Sequence, residues 1–255
     1  MIGWLDVGLI CLGSTAAGFV DAVVGGGGLI ATPTLFIVLP EAPIAAVLGT
    51  TKCASLFGTA TAAIGYGKRM ALPWRVLLPG IAMAMPCAFL GASLVQRTDP
   101  RVFKPAILGA LLVVAVYTAL RPGLGRSAAA MPSPARQIGW GLALGALLGF
   151  YDGFLGPGTG SFLTLAFVAL LGCDFLRAAG AAKIVNCASN VGALAWFAGH
   201  GLVLGEVAPA MAACNVLGAL VGSRVALAKG SAWVRRMFLA VVAALIVRMA
   251  WDVLR

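Results

Sequence analysis

Charge is what this sequence has least of. Asp and Glu together number eight and His one in 255 residues, and charged side chains of both signs make up only 10%. A soluble domain carries about a quarter, so this chain cannot clothe a water-facing surface. Long polar stretches are also missing: 121–137 (RPGLGRSAAAMPSPARQ) is the longest, and it reads as a linker that leaves no room for an extramembrane domain. No CxxC pair occurs among the six cysteines, which all lie in or beside apolar runs. They read as buried free thiols, neither a metal cluster nor a disulfide framework. The single histidine, His200, lies outside the apolar runs, and no cysteine has an activating partner. No nucleophile–base pair therefore stands out, and an enzyme is not expected. No cofactor or metal motif is present either.

What is abundant is hydrocarbon. Hydrophobic residues make up 61% of the chain and the mean hydropathy is +1.02. Runs such as 102–120 and 235–254 are long enough to cross a ~30 Å hydrocarbon core, which takes about 20 helical residues. They are continuous, not alternating, which excludes an outer-membrane barrel. The fold class is therefore all-α, a polytopic membrane protein with the lipid bilayer as its solvent. Residues 2–24 lack a basic leader and cleavage site and read as a retained helix. The net charge of +10 does not indicate nucleic-acid binding. Lys68, Arg69 and Arg75, then Arg121, Arg126 and Arg136, then Arg224, Lys229, Arg235 and Arg236 cluster between apolar runs. That is the positive-inside pattern, with no nucleic-acid signature beside it. Trp74, Trp140, Trp233 and Trp251 read as interfacial anchors.

The sequence repeats itself. Gly18-Phe19-Val20-Asp21 recurs as Gly149-Phe150-Tyr151-Asp152. The same shift of 131 residues, without a gap, sets Gly25 on Gly156, Gly27 on Gly158, Phe36 on Phe167, Gly49 on Gly180, Lys52 on Lys183 and Gly91 on Gly222. The expected organisation is a first membrane repeat at 1–120, a cytoplasmic linker at 121–137 and a second membrane repeat at 138–255. Each repeat reads as five apolar elements: 2–24, 29–40, 42–66, 74–96 and 102–120, then 138–155, 160–172, 175–199, 203–228 and 233–254. That gives about 8–10 membrane helices. The second element of each repeat is too short to span, reaching about 18–20 Å at 1.5 Å per residue. Each follows a glycine-rich break, Gly25-Gly26-Gly27-Gly28 or Gly156-Pro157-Gly158-Thr159-Gly160. Short or interrupted segments at matching places in two halves point to a transporter's binding site. Equivalent loops carry opposite charge bias, basic at 67–75 but not at 198–206, which predicts inverted repeats with the N-terminus outside.

Four charges remain deep in apolar sequence: Asp21, Lys52, Asp152 and Lys183. Each costs at least about 2.5–3.5 kcal/mol at a membrane centre, so they pair, line a wet cavity or bind a ligand. Asp21 and Asp152 each sit four residues before a glycine break, where a carboxylate opposes the helix dipole and wants a cation or a proton. They are the proton-coupling candidates. After each break a new helix begins, whose first amides and positive dipole suit an anion. This makes Gly25, Gly26, Gly27, Gly28, Gly156, Gly158, Thr159 and Gly160 candidate ligands. Lys183, Asn186 and Asn190 fall at i, i+3 and i+7 on one helix face, matched by Lys52, Ser55 and Thr59. Ammonium, amide and hydroxyl on one stripe suit an oxyanion. The bland alternative is a pair of structural ion pairs, Asp21–Lys52 and Asp152–Lys183. Helix packing accounts for Gly141, Gly145, Gly149 and Gly58.

The segments GFVDAVVGGGGLIATPTL, TKCAS and GFYDGFLGPGTGSFLTLAFVALLG…AAKIVNCASNVGAL resemble the sulfite exporter TauE/SafE family, also called the toluene sulfonate uptake permease family, and especially its YfcA-like branch. The resemblance runs over nearly the whole chain. It implies a bacterial or archaeal inner-membrane permease that moves sulfite, sulfonates or related anions and is coupled to an ion gradient. Where this branch usually reads Thr-Asn-Lys, this chain has Thr50-Thr51-Lys52, which keeps the lysine and loses the amide before it. The reading is a secondary transporter working by alternating access, its partners a small inorganic or organic anion and the lipid bilayer, with a homodimer left open. The alternatives are a cation or proton channel that uses the buried carboxylates, and a non-transporting membrane scaffold.

Overall fold

A computed structural model describes residues 4–99 and 131–254, with side chains as far as residue 244. Every regular element among them is helical. α1 (Trp4–Val24), α2 (Gly28–Val38), α3 (Ile44–Gly67) and α4 (Trp74–Leu94, extended by a 3-10 turn Val95–Arg97) form the N-terminal segment. α5 (Pro134–Phe154), α6 (Thr159–Leu171), α7 (Phe175–Gly199), α8 (Ala208–Lys229) and α9 (Ser231–Leu254) form the C-terminal one. Of these, α1, α4 with its 3-10 turn, and α8 each contain a stretch long and apolar enough to cross a membrane. The expected element 102–120 and the linker up to residue 130 lie outside the described residues, as does the side chain of Trp251.

Helix boundaries follow local chemistry. α2 has 11 residues and α6 has 13, about 17 and 20 Å at 1.5 Å per residue, so both fall short of a bilayer. α1 stops because Gly25 takes φ +85°, and α5 stops where Gly156 takes φ +83°, a left-handed backbone that glycine adopts at little cost. α7 is capped by Asp174, whose carboxylate accepts from the Leu176 and Arg177 amides at 3.0 and 3.1 Å. Two expected boundaries shift. α5 begins at Pro134, inside the expected linker, because proline fits the first turn of a helix, where its missing N–H costs nothing. α8 begins at Ala208, not 203, since 200–207 is a set of turns closed by Leu202 N–H to Phe197 O and Val207 N–H to Leu204 O.

The packing crosses between the segments: α1 lies along α8, α4 along α5, α3 against α7 and α8, and α4 against α7. Small residues make this close approach possible. On α5, Gly141, Gly145, Gly149 and Gly153 each bring the backbone against α4, at Val76, Gly80, Ala84 and Ala88 in turn. Gly58 on α3 meets the Asn215 side chain of α8. The packing role expected for Gly141, Gly145, Gly149 and Gly58 is thus what the structure shows. A Cβ at Gly153 would strike the Ala88 carbonyl, whereas one at Gly139 would meet nothing within 4 Å. Gly153→Val is therefore expected to destabilise by about 1–3 kcal/mol or more through overpacking. Gly139→Ala should leave the melting temperature in detergent within error. Equal melting of the two variants would disprove the packing account.

The outside is apolar, and charged side chains sit inside an otherwise apolar core. Trp4, Ile37 and Leu147 are 94, 70 and 68% exposed, while Asp21, Lys52, Asp152 and Lys183 are all buried. Large exposed apolar side chains over a charged interior are the reverse of a water-soluble fold. All six cysteines are free thiols.

Candidate functional site

The two glycine breaks meet at the centre of the molecule. Ser161 N–H donates to Gly25 O at 2.9 Å and its hydroxyl donates to Val24 O at 3.0 Å. Gly25 and Gly160 touch backbone to backbone, with no room for a Cβ on either. Each turn is braced by a tyrosine: the buried Tyr66 O–H donates to Ala22 O at 2.9 Å, and the partly buried Tyr151 O–H to Pro157 O at 2.8 Å.

Around this contact the four buried charges form two ion pairs, each joining the two segments. Lys52 Nζ lies 2.6 Å from Asp152 Oδ1, and Lys183 Nζ lies 2.9 Å from Asp21 Oδ2. The pairing is the reverse of the expected Asp21–Lys52 and Asp152–Lys183. The physical reason is the crossed packing: the residues of α3 and α7 that face the centre meet the broken-helix turn of the other segment. Each pair is held by further bonds. Lys52 donates to Asn190 Oδ1 at 3.2 Å, and Ser189 O–H donates to Asp152 Oδ2 at 2.7 Å. Asp21 accepts from Lys183, from Thr59 O–H at 3.2 Å and, over a long 3.4 Å, from Gly27 N–H. The carboxylate that opposes the α1 dipole is thereby the anion at the start of α2.

A cavity of about 30 Å³ opens between the breaks, room for one or two waters. Of the expected site residues, Asp21, Gly25, Gly28, Lys52, Ser55, Asp152, Gly156, Gly158, Thr159, Gly160, Asn186 and Asn190 line it. Gly26, Gly27, Thr59 and Lys183 do not. Thr59, Gly27 and Lys183 are turned onto Asp21, and Lys183 is fully buried. Sequence reading missed Thr32, Leu48, Thr51 and Pro157 in the wall, and Ser189 behind it. Thr51 stands where the amide of the Thr-Asn-Lys pattern would be, so that position faces the cavity after all. The amide nitrogen of Asn190 is buried on the cavity wall with no hydrogen-bond partner, although an unmatched buried donor is costly. Its oxygen is used by Lys52, so the nitrogen is the group left to donate. Not all the helix-start amides are free: Ser161 N–H is committed to Gly25, and Ile30 and Ala31 N–H close on Gly27 O.

His200 Nδ1–H donates to Trp196 O at 2.8 Å and its ring stacks on the Trp196 ring, away from the cavity. Among the described residues no three His, Cys, Asp or Glu side chains gather where they could hold a metal.

Comparison with known proteins bears on this arrangement. The family model described as "Sulfite exporter TauE/SafE" matches residues 10–249. The chain belongs to the sulfite exporter TauE/SafE family. Its resemblance to the YfcA-like branch is also present in curated relatives. The chain is 34% identical to the probable membrane transporter protein YfcA of Escherichia coli K12 over 254 residues, covering 99% of this chain and 92% of the relative. It is 38% identical to the probable membrane transporter protein ORF9 of a Sinorhizobium species, covering 92% and 89%. A probable membrane transporter protein of Haemophilus influenzae is 34% identical, over 96% and 94%. No solved structure matches. This TauE/SafE chain carries its apolar exterior and its buried ion pairs as a membrane protein would.

Proposed function

We propose that this TauE/SafE protein is a multi-pass inner-membrane secondary transporter of small sulfur-containing anions such as sulfite or sulfonates. It works by alternating access between two inverted repeats and is coupled to an ion gradient. The observation that carries the reading is the juxtaposition of the Lys52 ammonium and the unbonded Asn190 amide on one wall of a cavity between two broken helices. A cation, a neutral donor and the start of α6 converge there, which is the chemistry of an oxyanion site.

The repeat reading is supported by helix starts that share the 131-residue shift: Gly28 and Thr159 for α2 and α6, Ile44 and Phe175 for α3 and α7. It is also supported by the reciprocal packing of α1 on α8 and α5 on α4. In this conformation the cavity is of water size, so an anion as large as sulfite enters only after the walls of α3 and α7 part. A cation channel is the poorer reading, because both carboxylates already hold an ammonium.

The test is uptake of radiolabelled sulfite into liposomes holding the purified protein, with and without an imposed pH gradient, against protein-free liposomes. The expected result is uptake at least 10-fold above background that rises with the gradient. Uptake equal to protein-free liposomes, for sulfite and for a sulfonate alike, would remove the reading.

A further inference from the structure

The two ion pairs match in sequence but not in their surroundings. Lys52 lies on the cavity wall, its ammonium against Gly156: a Cβ built on that glycine would sit 3.5 Å from Lys52 Nζ. Lys183 has no exposed side-chain surface and is not on the wall. The carboxylates differ too. Asp21 is tied by donors from three places, Lys183 of α7, Thr59 of α3 and the Gly27 amide. Asp152 is held by Lys52 and by the hydroxyl of Ser189. The unbonded amide nitrogen belongs to Asn190, which already touches Lys52 and not Lys183.

From this, and resting on the transport reading above, we propose a division of labour: Lys52–Asp152 is the exchangeable pair that binds the anion and takes the coupling proton, while Lys183–Asp21 is a fixed strut. The step balances as follows. The anion's oxygen replaces Asp152 Oδ1 as acceptor for the Lys52 ammonium and accepts from the Asn190 amide as well. Asp152, deprived of its cation, takes one proton from the water-filled side. Before binding the pair is Lys⁺ and Asp⁻. Afterwards it is Lys⁺, a singly charged anion and a neutral Asp152, so one anion enters with one proton and the buried site stays neutral. A net charge there would be costly. Lys183 does not do the same, because it has no exposed surface and reaches the cavity only through Asp21.

The groups around Asp152 leave it to respond to Lys52. On the elements packed against α5, the ionisable side chains are Arg75 and Cys87 of α4 and Arg177, Lys183 and Cys187 of α7, while α6 carries none. α5 itself adds Arg136 and Tyr151, whose hydroxyl is committed to Pro157 O. Asp21, which also lines the cavity, is engaged by Lys183. Among the described residues Lys52 alone is within ion-pair distance of Asp152.

The experiment compares two quantities in proteoliposomes, exchange of labelled anion across the membrane at equal pH, and accumulation driven by a pH gradient. Sulfite is one probe. Methanesulfonate is the other, because it carries no titratable proton of its own. Asp152→Asn disturbs the site itself and should lower exchange, but the ratio of accumulation to exchange in the folded protein should fall at least 10-fold below that of wild type. Asp21→Asn should lower folded yield, with exchange and accumulation falling together so that their ratio is preserved. An accumulation-to-exchange ratio equal to that of wild type in Asp152→Asn protein that elutes as a single folded species overturns the division of labour. So does uncoupling by Asp21→Asn instead. If wild type exchanges neither probe, the transport reading itself falls, which is a separate outcome.

Discussion

Replacing Lys52 by methionine is expected to cost at least 100-fold in anion exchange, the largest functional effect of any single change in this protein. Methionine keeps the length and apolar stem of lysine but removes the only ammonium that the described residues place on the cavity wall. It also leaves Asp152 as an unpaired carboxylate that is 2% exposed. Removing one partner of a buried ion pair costs about 3–5 kcal/mol, so the single variant risks failing to fold. Lys52→Met combined with Asp152→Asn removes both charges and keeps the volume. The paired variant should therefore elute as folded protein and still fail to exchange sulfite. Full exchange by the folded double variant would show that the anion binds elsewhere.

Gly25→Ala is expected to be the most damaging change to folding. Two independent penalties act at this one position. The backbone has φ +85°, a region in which an L-residue is disfavoured by about 1–2 kcal/mol. The added methyl would also overlap the Gly160 backbone, and overpacking typically costs a further 1–3 kcal/mol. The methyl would push apart the two turns whose contact, through Ser161 and Gly25, joins the segments. Gly28→Ala provides the comparison, since its Cβ would meet only Pro157 Cα at 3.4 Å, an ordinary contact. Thermal unfolding in detergent should show Gly25→Ala melting far below wild type, or not recovered folded, with Gly28→Ala close to wild type. If the two variants melted together, the central backbone contact would not be holding the molecule.

Much of this was legible in the chain because membrane helices are written in composition. The apolar runs placed α1, α3, α4 and α7 to within a few residues, and the run of glycines followed by an abrupt short helix was visible as it stands. The four buried charges were legible by elimination, since few other charges lack a route to an interface. What could not be read was which charge meets which. The 131-residue shift relates residues within the sequence, and nearness along the chain favours Asp21 with Lys52. The actual pairing depends on packing α3 and α7 across the centre, and that is long-range geometry. The same limit hid Ser189, a serine among small residues of α7 that only the fold brings to 2.7 Å from Asp152. Lys183 shows the opposite failure. Its helical stripe with Asn186 and Asn190 is real, yet the two asparagines line the cavity while the lysine turns to Asp21. A stripe fixes which face a residue occupies, and one helical face can serve two neighbours.

The most direct test of the central claim is labelled-sulfite exchange at equal pH in liposomes, wild type beside Lys52→Met/Asp152→Asn, with both proteins shown to be folded and equally inserted. The account predicts rapid exchange by wild type and exchange at the protein-free level by the double variant. Equal exchange by the two would contradict an anion site at the Lys52 wall.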